Sequence, residues 1–336
     1  MKAYVLEAVN DLQYKEVPVP ECPEGWALVA VKACGICSSD IPRIFTKGTY
    51  HFPTIPGHEF SGVVEKVGSE KDQEWIGRKV GIFPLIPCRK CEQCRQKKYE
   101  LCSNYDYTGS RRDGAFAEYV AVPLWNLIAL PDEIGFKEAA MLEPLAVALH
   151  AVKRSGLQKD ESFAVIGTGM IGFAVAQWAR ARGANPVYII GRSEKKRKLA
   201  ESQQDVYYMT GAENLPKVDR VIEAVGTPDS VKLSIEIAKP EGSIVLMGNP
   251  SGDILLEQDV YWKILRKQLS VTGTWNSSYD GAEPSDWTEV ISALSKKEMD
   301  VSKLISHTFF KEQLPEGLAL MKEHKEPYCK VMTDWE

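Results

Sequence analysis

The sequence predicts a two-part α/β protein: a mostly-β part carrying a cysteine-rich lobe, and a doubly wound parallel sheet with helices on both faces. Three observations predict it. Four cysteines crowd between Cys88 and Cys102. The first ~145 residues read as short strands and loops rich in Gly and Pro. After Glu143-Pro144, strands and helices alternate at βαβ spacing.

Met1 to Glu7 is the first strand; it holds no uninterrupted apolar run and does not read as a signal peptide. Ala27 to Val31, Gly62 to Val67 and Phe116 to Val122 follow as strands. Phe163 to Ile166 opens the parallel sheet, and Ile171 to Arg182 is a helix stopped by Gly183. Pro186 to Ile190 is the next strand and Glu194 to Gln203 the next helix. Asp219 to Ala224, Ser243 to Met247 and Leu269 to Gly273 continue the sheet. The last ~60 residues alternate helix and strand and end on Cys329 to Met332.

With 336 residues, 44% hydrophobic and 26% charged, the chain is ordinary globular material. Its net charge of −5 offers no general attraction to nucleic acid or an anionic membrane. No apolar run approaches the length of a membrane span. The expected location is the cytoplasm, where thiols stay reduced, so eight cysteines point to metal rather than disulfides.

The four cysteines read Cys88-x-x-Cys91-x-x-Cys94, then seven residues, then Cys102. Zinc accepts four thiolates tetrahedrally, and a site so closed is structural. Lys90, Arg95, Lys97 and Lys98 would offset its negative charge. The chemistry must therefore lie elsewhere. Gly35-Ile36-Cys37-Ser38-Ser39-Asp40, Gly57-His58-Glu59 and Met141-Leu142-Glu143-Pro144 supply it: Cys37, His58 and a carboxylate would make a mixed zinc site with one position open.

Gly167-Thr168-Gly169-Met170-Ile171-Gly172 follows a strand and opens a helix, the context of a dinucleotide-binding turn. Gly167 permits the turn, Gly169 admits the pyrophosphate, and Gly172 lets helix and sheet pack closely. Free N–H groups of Met170 and Ile171 would face the phosphates. The acid expected about 20 residues on is missing. Gly191, Arg192 and Ser193 stand there, with Arg197 one helical turn on. A guanidinium binds a 2′-phosphate where a carboxylate repels it, so NADP(H) is expected over NAD(H). On this reasoning Gly191→Asp with Arg192→Ile reverses the preference. Val225, Met247 and Gly248 complete the nucleotide set.

Together these motifs resemble the zinc-dependent medium-chain dehydrogenases, in their polyol branch, and within it the dehydrogenases of sugar-alcohol phosphates. The resemblance runs through essentially the whole chain; Ile41 to Phe45, Gly57 to Gly62, Tyr105 to Gly114 and Lys263 to Lys267 carry its closest part. It implies a GroES-like catalytic domain of residues 1–146 and 277–336, with the structural zinc lobe, and a Rossmann domain of residues 147–276. It implies Cys37, His58 and Glu143 as ligands of the catalytic zinc, with Glu59 exchangeable, and so two zinc ions per chain. It assigns Ser39 to proton transfer, Asp40 to orienting His58, and Val147 to the back of the nicotinamide ring. Arg43, Arg111 and Arg112 are candidates for a substrate phosphate; Trp275 and Asn276 are candidate substrate contacts.

The implied reaction is reversible hydride transfer between a secondary alcohol of a sugar alcohol, phosphorylated or free, and NADP(H). Ketose-phosphate reduction and diol oxidation are variants of it. A catalytically silent, zinc-stabilised binding protein is the alternative of another class, against which the intact open ligand set and Ser39 argue. A homodimer through the sixth strand of the parallel sheet is expected, with a tetramer compatible, and the partner otherwise is a small molecule.

Overall fold

The structure, a computed structural model, describes residues 1–201, 205–211 and 214–336. The chain divides into two compact units, Met1–Glu143 with Ser278–Glu336, and Pro144–Ser277.

In the first unit the seven-stranded sheet is built on Trp26–Ile36, a nearly continuous apolar run buried on both its faces. It pairs antiparallel with Glu59–Val67, Tyr119–Pro123 and Lys330–Asp334. Lys79–Ile82 and Leu127–Ala129 extend one side; Ile305–Phe310 closes the other, parallel to Lys330–Asp334 and joined to it through helix Leu314–Glu323. A core of Tyr4, Val29, Ile36, Phe60, Phe116, Leu318 and Val331 fills the interior. The register matters for chemistry. Gly35 faces Glu59 across the sheet, and a Cβ on Gly35 would stand 2.5 Å from the Glu59 carboxylate. Glycine there makes room for a buried acid.

The second unit is a six-stranded parallel sheet in the order Val206–Thr210, Val187–Gly191, Phe163–Ile166, Val218–Glu223, Ala238–Leu246, Ser270–Gly273. Strand Phe163–Ile166 is buried throughout, as a central parallel strand requires. The helix after it, Met170–Ala181, buries nine of its residues and ends before Gly183, whose φ is 89°. Strand Val206–Thr210 has no counterpart in the sequence reading. The helix expected from Glu194 to Gln203 is instead a 3-10 turn, Glu194–Lys196, and a short helix, Arg197–Glu201; residues 202–204 lie outside the described residues. Among the described residues no helix is long and apolar enough to cross a membrane.

The N-terminal ends of three parallel strands are clasped by polar groups. Both Ser162 N–H (2.9 Å) and Ser162 Oγ donate to Asp219, and Lys239 Nζ reaches its two oxygens at 2.9 and 3.1 Å. Burial would raise Asp219, but the Ser162 and Lys239 bonds hold it at about 2. A carboxyl depressed in the folded state stabilises above its ordinary pKa and loses that contribution as pH falls through the folded value. Asp219→Asn is expected to cost about 1–2 kcal/mol at pH 7, allowing for solvent screening. The gap to wild type should close between about pH 4 and pH 2. Denaturant midpoints across that range check it; a gap independent of pH contradicts it.

Candidate metal centres and nucleotide pocket

Cys88, Cys91, Cys94 and Cys102 bring four sulfurs within 4.8 Å of one another. Cys88 Sγ and Cys94 Sγ are 3.9 Å apart, as are Cys91 Sγ and Cys102 Sγ. Four thiolates around one zinc at tetrahedral geometry stand about 3.8 Å apart, so the cage fits that ion and excludes disulfides. Backbone N–H groups draw the Cys88 and Cys91 thiols down, while burial raises Cys94 and Cys102. Lys90, Arg95, Lys97 and Lys98 are exposed around the lobe. Arg89 lies 4.6 Å over the Trp125 ring and ties the lobe to the body of the unit.

The second cluster is Cys37, His58 and Glu59, again with ligand atoms within 4.8 Å. Cys37 leaves the end of strand Trp26–Ile36, and Glu59 begins Glu59–Val67 beside it. Asp40 is fully buried. One of its oxygens accepts Cys37 N–H at 3.0 Å; the other takes Arg43 at 2.6 Å and faces His58 Nδ1 at 3.5 Å. The last distance is electrostatic contact rather than the expected hydrogen bond. Burial opposes charge on His58, yet Asp40 and Cys37 hold the imidazole well above its ordinary value. The cluster thus favours a cation. Ser39 Oγ donates to Cys37 Sγ at 3.3 Å and is half-exposed, placing a hydroxyl between the cluster and solvent.

Two carboxylates border this cluster, each with its own partner. Glu59 is ion-paired with Lys330, and both are buried. Glu143, at the start of helix Leu142–Arg154, accepts a 3.1 Å hydrogen bond from Tyr107, whose ring packs edge-on against His58. Burial pushes Glu143 up toward neutrality, against the pull of His58. The structure therefore gathers Glu59 with Cys37 and His58, and holds Glu143 from Tyr107. Neither Lys330 nor Tyr107 was evident in the sequence. Lys330 lies 271 residues from Glu59, and only the pairing of Lys330–Asp334 with Trp26–Ile36 brings it there.

Two of the three arginines proposed for a phosphate are already paired with carboxylates. Arg43 holds Asp40. Arg112 pairs with Asp106 at 3.1 Å and stacks on Trp26. Arg111 is sandwiched between the Tyr50 and Tyr105 rings, at 4.2 and 4.4 Å, and donates to the Tyr105 carbonyl and Tyr50 hydroxyl. Arg111 and Arg112 line a cavity of about 540 Å³ whose walls include neither Arg43 nor any of Cys37, His58, Glu59 and Glu143. In the second unit Trp275 is half-exposed, and Asn276 has its amide nitrogen buried without a partner.

The second unit's own pocket, about 630 Å³, is walled by Gly167, Thr168, Gly169, Gly191, Arg192 and Val225, among others. Gly167 has φ 129°, a conformation open to glycine. Met170 and Ile171 form the first helical turn beyond it, and Gly172 packs against Gly167. Met247 and Gly248 N–H groups bond to the Glu223 carbonyl, while the Glu223 carboxylate takes Val225 and Gly226 N–H at 2.8 Å and shapes that rim. Val147 is half-buried on helix Leu142–Arg154. Arg192 is exposed at the pocket and has no partner among the described residues. Ser193 accepts Lys195 N–H and keeps its own proton to donate. Arg197 does not join them: it pairs with Glu194 and lies over the Tyr208 ring. Gly191 is also no open slot, because a Cβ there would meet Tyr208 and Thr168. The exchange Gly191→Asp with Arg192→Ile is thus sterically opposed.

The two clusters make separable predictions. Cys37→Ala is expected to keep the fold and lose turnover. Cys91→Ala is expected to destabilise the lobe, since a structural zinc contributes folding free energy directly. Elemental analysis of the pure protein should find two zinc ions per chain, one of them removed faster by mild chelation. Equal loss of folding in both variants, or at most one zinc in the fully active protein, contradicts the two-cluster account.

Residues 23–132 match the alcohol dehydrogenase GroES-like domain, and residues 171–296 match the zinc-binding dehydrogenase domain. Galactitol 1-phosphate 5-dehydrogenase of Escherichia coli K12 is 34% identical over 91% of this chain and 92% of its own. The crystal structure of galactitol-1-phosphate dehydrogenase from Escherichia coli superposes with TM-score 0.91 at 32% identity, over 99% of this chain and 100% of that one. A Sinorhizobium meliloti 1021 protein solved bound to NADP gives TM-score 0.89 at 29% identity, over 99% and 98%. With both its domains matched, its cysteine cage and its mixed Cys-His-Glu cluster, the chain belongs to the zinc-dependent alcohol dehydrogenase family, as a GroES-like domain joined to a Rossmann-like parallel-sheet domain.

Proposed function

We propose that the protein reversibly transfers hydride between a secondary alcohol of a sugar alcohol and NADP(H), with two zinc ions per chain. One observation carries the reading: the chain holds two thiolate clusters of different kinds, a closed cage of four cysteines and a mixed cluster with a hydroxyl beside it. Only the second has a use in chemistry. Cys37 and His58 would hold its zinc, with Glu59 or Glu143 as third protein ligand. A zinc ion there supplies Lewis acidity, which eases deprotonation of a secondary alcohol or polarises a ketone.

The chain's own residues do the rest. Asp40 fixes the Cys37 turn and turns its charge to His58. Ser39 passes the substrate proton outward from a half-exposed position. The turn Gly167 to Gly172 and the first turn of the helix Met170–Ala181 would hold the cofactor's pyrophosphate, and Val147 would contact its nicotinamide.

The cofactor assignment rests on Arg192, the uncommitted cation at a pocket rim that lacks an acid at position 191. A charged hydrogen bond contributes about 1.5–3 kcal/mol, or roughly 10- to 150-fold. NADP(H) is expected to exceed NAD(H) at least tenfold in kcat/KM. Arg192→Ala should remove most of that margin by raising KM for NADP(H), with little change in kcat. A wild-type preference for NAD(H) contradicts the assignment.

The substrate is proposed to be phosphorylated, as the name of the Escherichia coli relative indicates for that enzyme, with Arg111 as the cation. A free polyol is the second reading, favoured by the ion pairs that occupy Arg43 and Arg112. Galactitol 1-phosphate compared with galactitol and sorbitol decides between them. The first reading expects the phosphate ester ahead by more than about tenfold in kcat/KM, a margin that Arg111→Ala removes. Parity leaves a polyol dehydrogenase without a phosphate site. The proposed assembly is a homodimer. Its basis is the edge strand Ser270–Gly273, with Val271 exposed, beside a helix exposing Tyr261, Trp262 and Leu265.

A further inference from the structure

Gly191, on the wall of the nucleotide pocket, is backed by a side chain that belongs neither to the glycine turn nor to the basic segment. Tyr208 lies on Val206–Thr210, the edge strand parallel to Val187–Gly191. It is only 5% exposed. Its hydroxyl donates to the Ser193 carbonyl at 2.6 Å. The Arg197 guanidinium stands 5.2 Å from the ring centre, and Arg197 also donates to the Tyr208 carbonyl at 3.2 Å. Arg197 is fixed in turn by Glu194, which also accepts from Thr210. The ring is therefore held on its face and at its tip.

This fixed ring bears on Gly191. A Cβ at position 191 would lie 2.5 Å from Tyr208 Oη, 3.2 Å from Tyr208 Cζ and 2.5 Å from Thr168 Cγ2. Non-bonded carbon atoms rest at about 3.5–4.0 Å, so such a side chain needs its neighbours to move. Thr168 belongs to the glycine turn, and its carbonyl is held by Lys196 Nζ at 2.8 Å. The phenol is rigid and its oxygen moves only with the ring. Position 191 is where the ribose-binding acid of a dinucleotide site stands. Here that space is filled before any residue at 191 can use it.

We propose that Tyr208 is a specificity-determining residue of the cofactor pocket: its ring and hydroxyl fill the place a Cβ at position 191 would need and so confine that position to glycine. The proposal deepens the NADP(H) reading and rests on it. The missing acid is then a consequence of the neighbouring strand. Arg192 is left as the side chain that meets the ribose. An acid at 191 alone meets both Tyr208 and Thr168; with Tyr208 removed only the Thr168 methyl, at the end of a rotatable side chain, must give way for the acid to reach the ribose diol.

The test measures equilibrium affinity of the zinc-loaded enzyme for NADPH and for NADH by cofactor fluorescence. The proteins are wild type, Gly191→Asp, Tyr208→Ser and the double variant. Gly191→Asp alone is expected to bind both cofactors at least ~10-fold more weakly than wild type. The double variant is expected to bind NADH at least ~10-fold more tightly than Gly191→Asp alone. If Gly191→Asp alone binds NADH as tightly as the double variant, Tyr208 does not guard the position and the proposal is overturned. Wild type binding NADH in preference to NADPH instead sinks the NADP(H) reading, while the single-to-double comparison still decides for or against Tyr208. Should Gly191→Asp fail to fold, Gly191→Ala answers the same question through thermal unfolding. It should lower the melting temperature clearly more in the wild-type background than in the Tyr208→Ser background, where only the Thr168 methyl remains to be displaced, the coupling expected of side chains in contact. Equal losses in both backgrounds overturn the proposal.

Discussion

A buried carboxylate organises the candidate reactive centre. Asp40, with no exposed surface, takes the Cys37 N–H with one oxygen and Arg43 with the other, and turns its charge on His58. Burying that charge is costly unless it is paired and hydrogen-bonded. The pairing here fixes the turn carrying Cys37 and, with Cys37, favours positive charge on His58. The same economy governs Glu59, buried against Lys330 at the head of its strand, in a space that Gly35 leaves open. A cluster with this many buried acids and two fixed cations is an electrostatic setting for a divalent ion, with one carboxylate neutralised in advance.

The two thiolate clusters differ in what surrounds them. Around Cys88, Cys91, Cys94 and Cys102 the donors are backbone N–H groups, other sulfurs and the Ser103 hydroxyl, and the lobe is fastened by Arg89 on Trp125. All four of its ligand atoms are sulfurs, and no carboxylate or imidazole joins them among the described residues. Around Cys37 and His58 stand a hydroxyl, two carboxylates with separate partners and a phenol. Carboxylates held by competing donors are suited to exchange at a metal, because each has somewhere to go when it leaves. Lys330 and Tyr107 hold those alternatives.

What the sequence made legible was local. Cysteine spacing, the glycine turn between a strand and a helix, and the Cys37 and His58-Glu59 motifs each lie within a few residues, and the fold keeps each of them together. What escaped was set by pairing across long separations. Lys330 meets Glu59 only because the last strand pairs with Trp26–Ile36. Tyr208 meets Gly191 only through an edge strand that its own pattern did not announce. The basic residues were visible as charge, but their partners were not. Arg43, Arg112 and Arg197 each have a carboxylate nearby that competes with any ligand. Arg192 has no ion-pair partner among the described residues, and its charge remains for a ligand.

Zinc K-edge absorption on the fully loaded protein tests the central claim most directly, because it counts sulfur neighbours without reference to activity. A closed four-sulfur site and an open site with one sulfur average to about 2.5 sulfur ligands per zinc, at about 2.3 Å, with nitrogen and oxygen making up the rest. That average, at two zinc ions per chain, is the result the account predicts. An average near four sulfurs at one zinc per chain would mean that the Cys37 cluster holds no metal, and would contradict it.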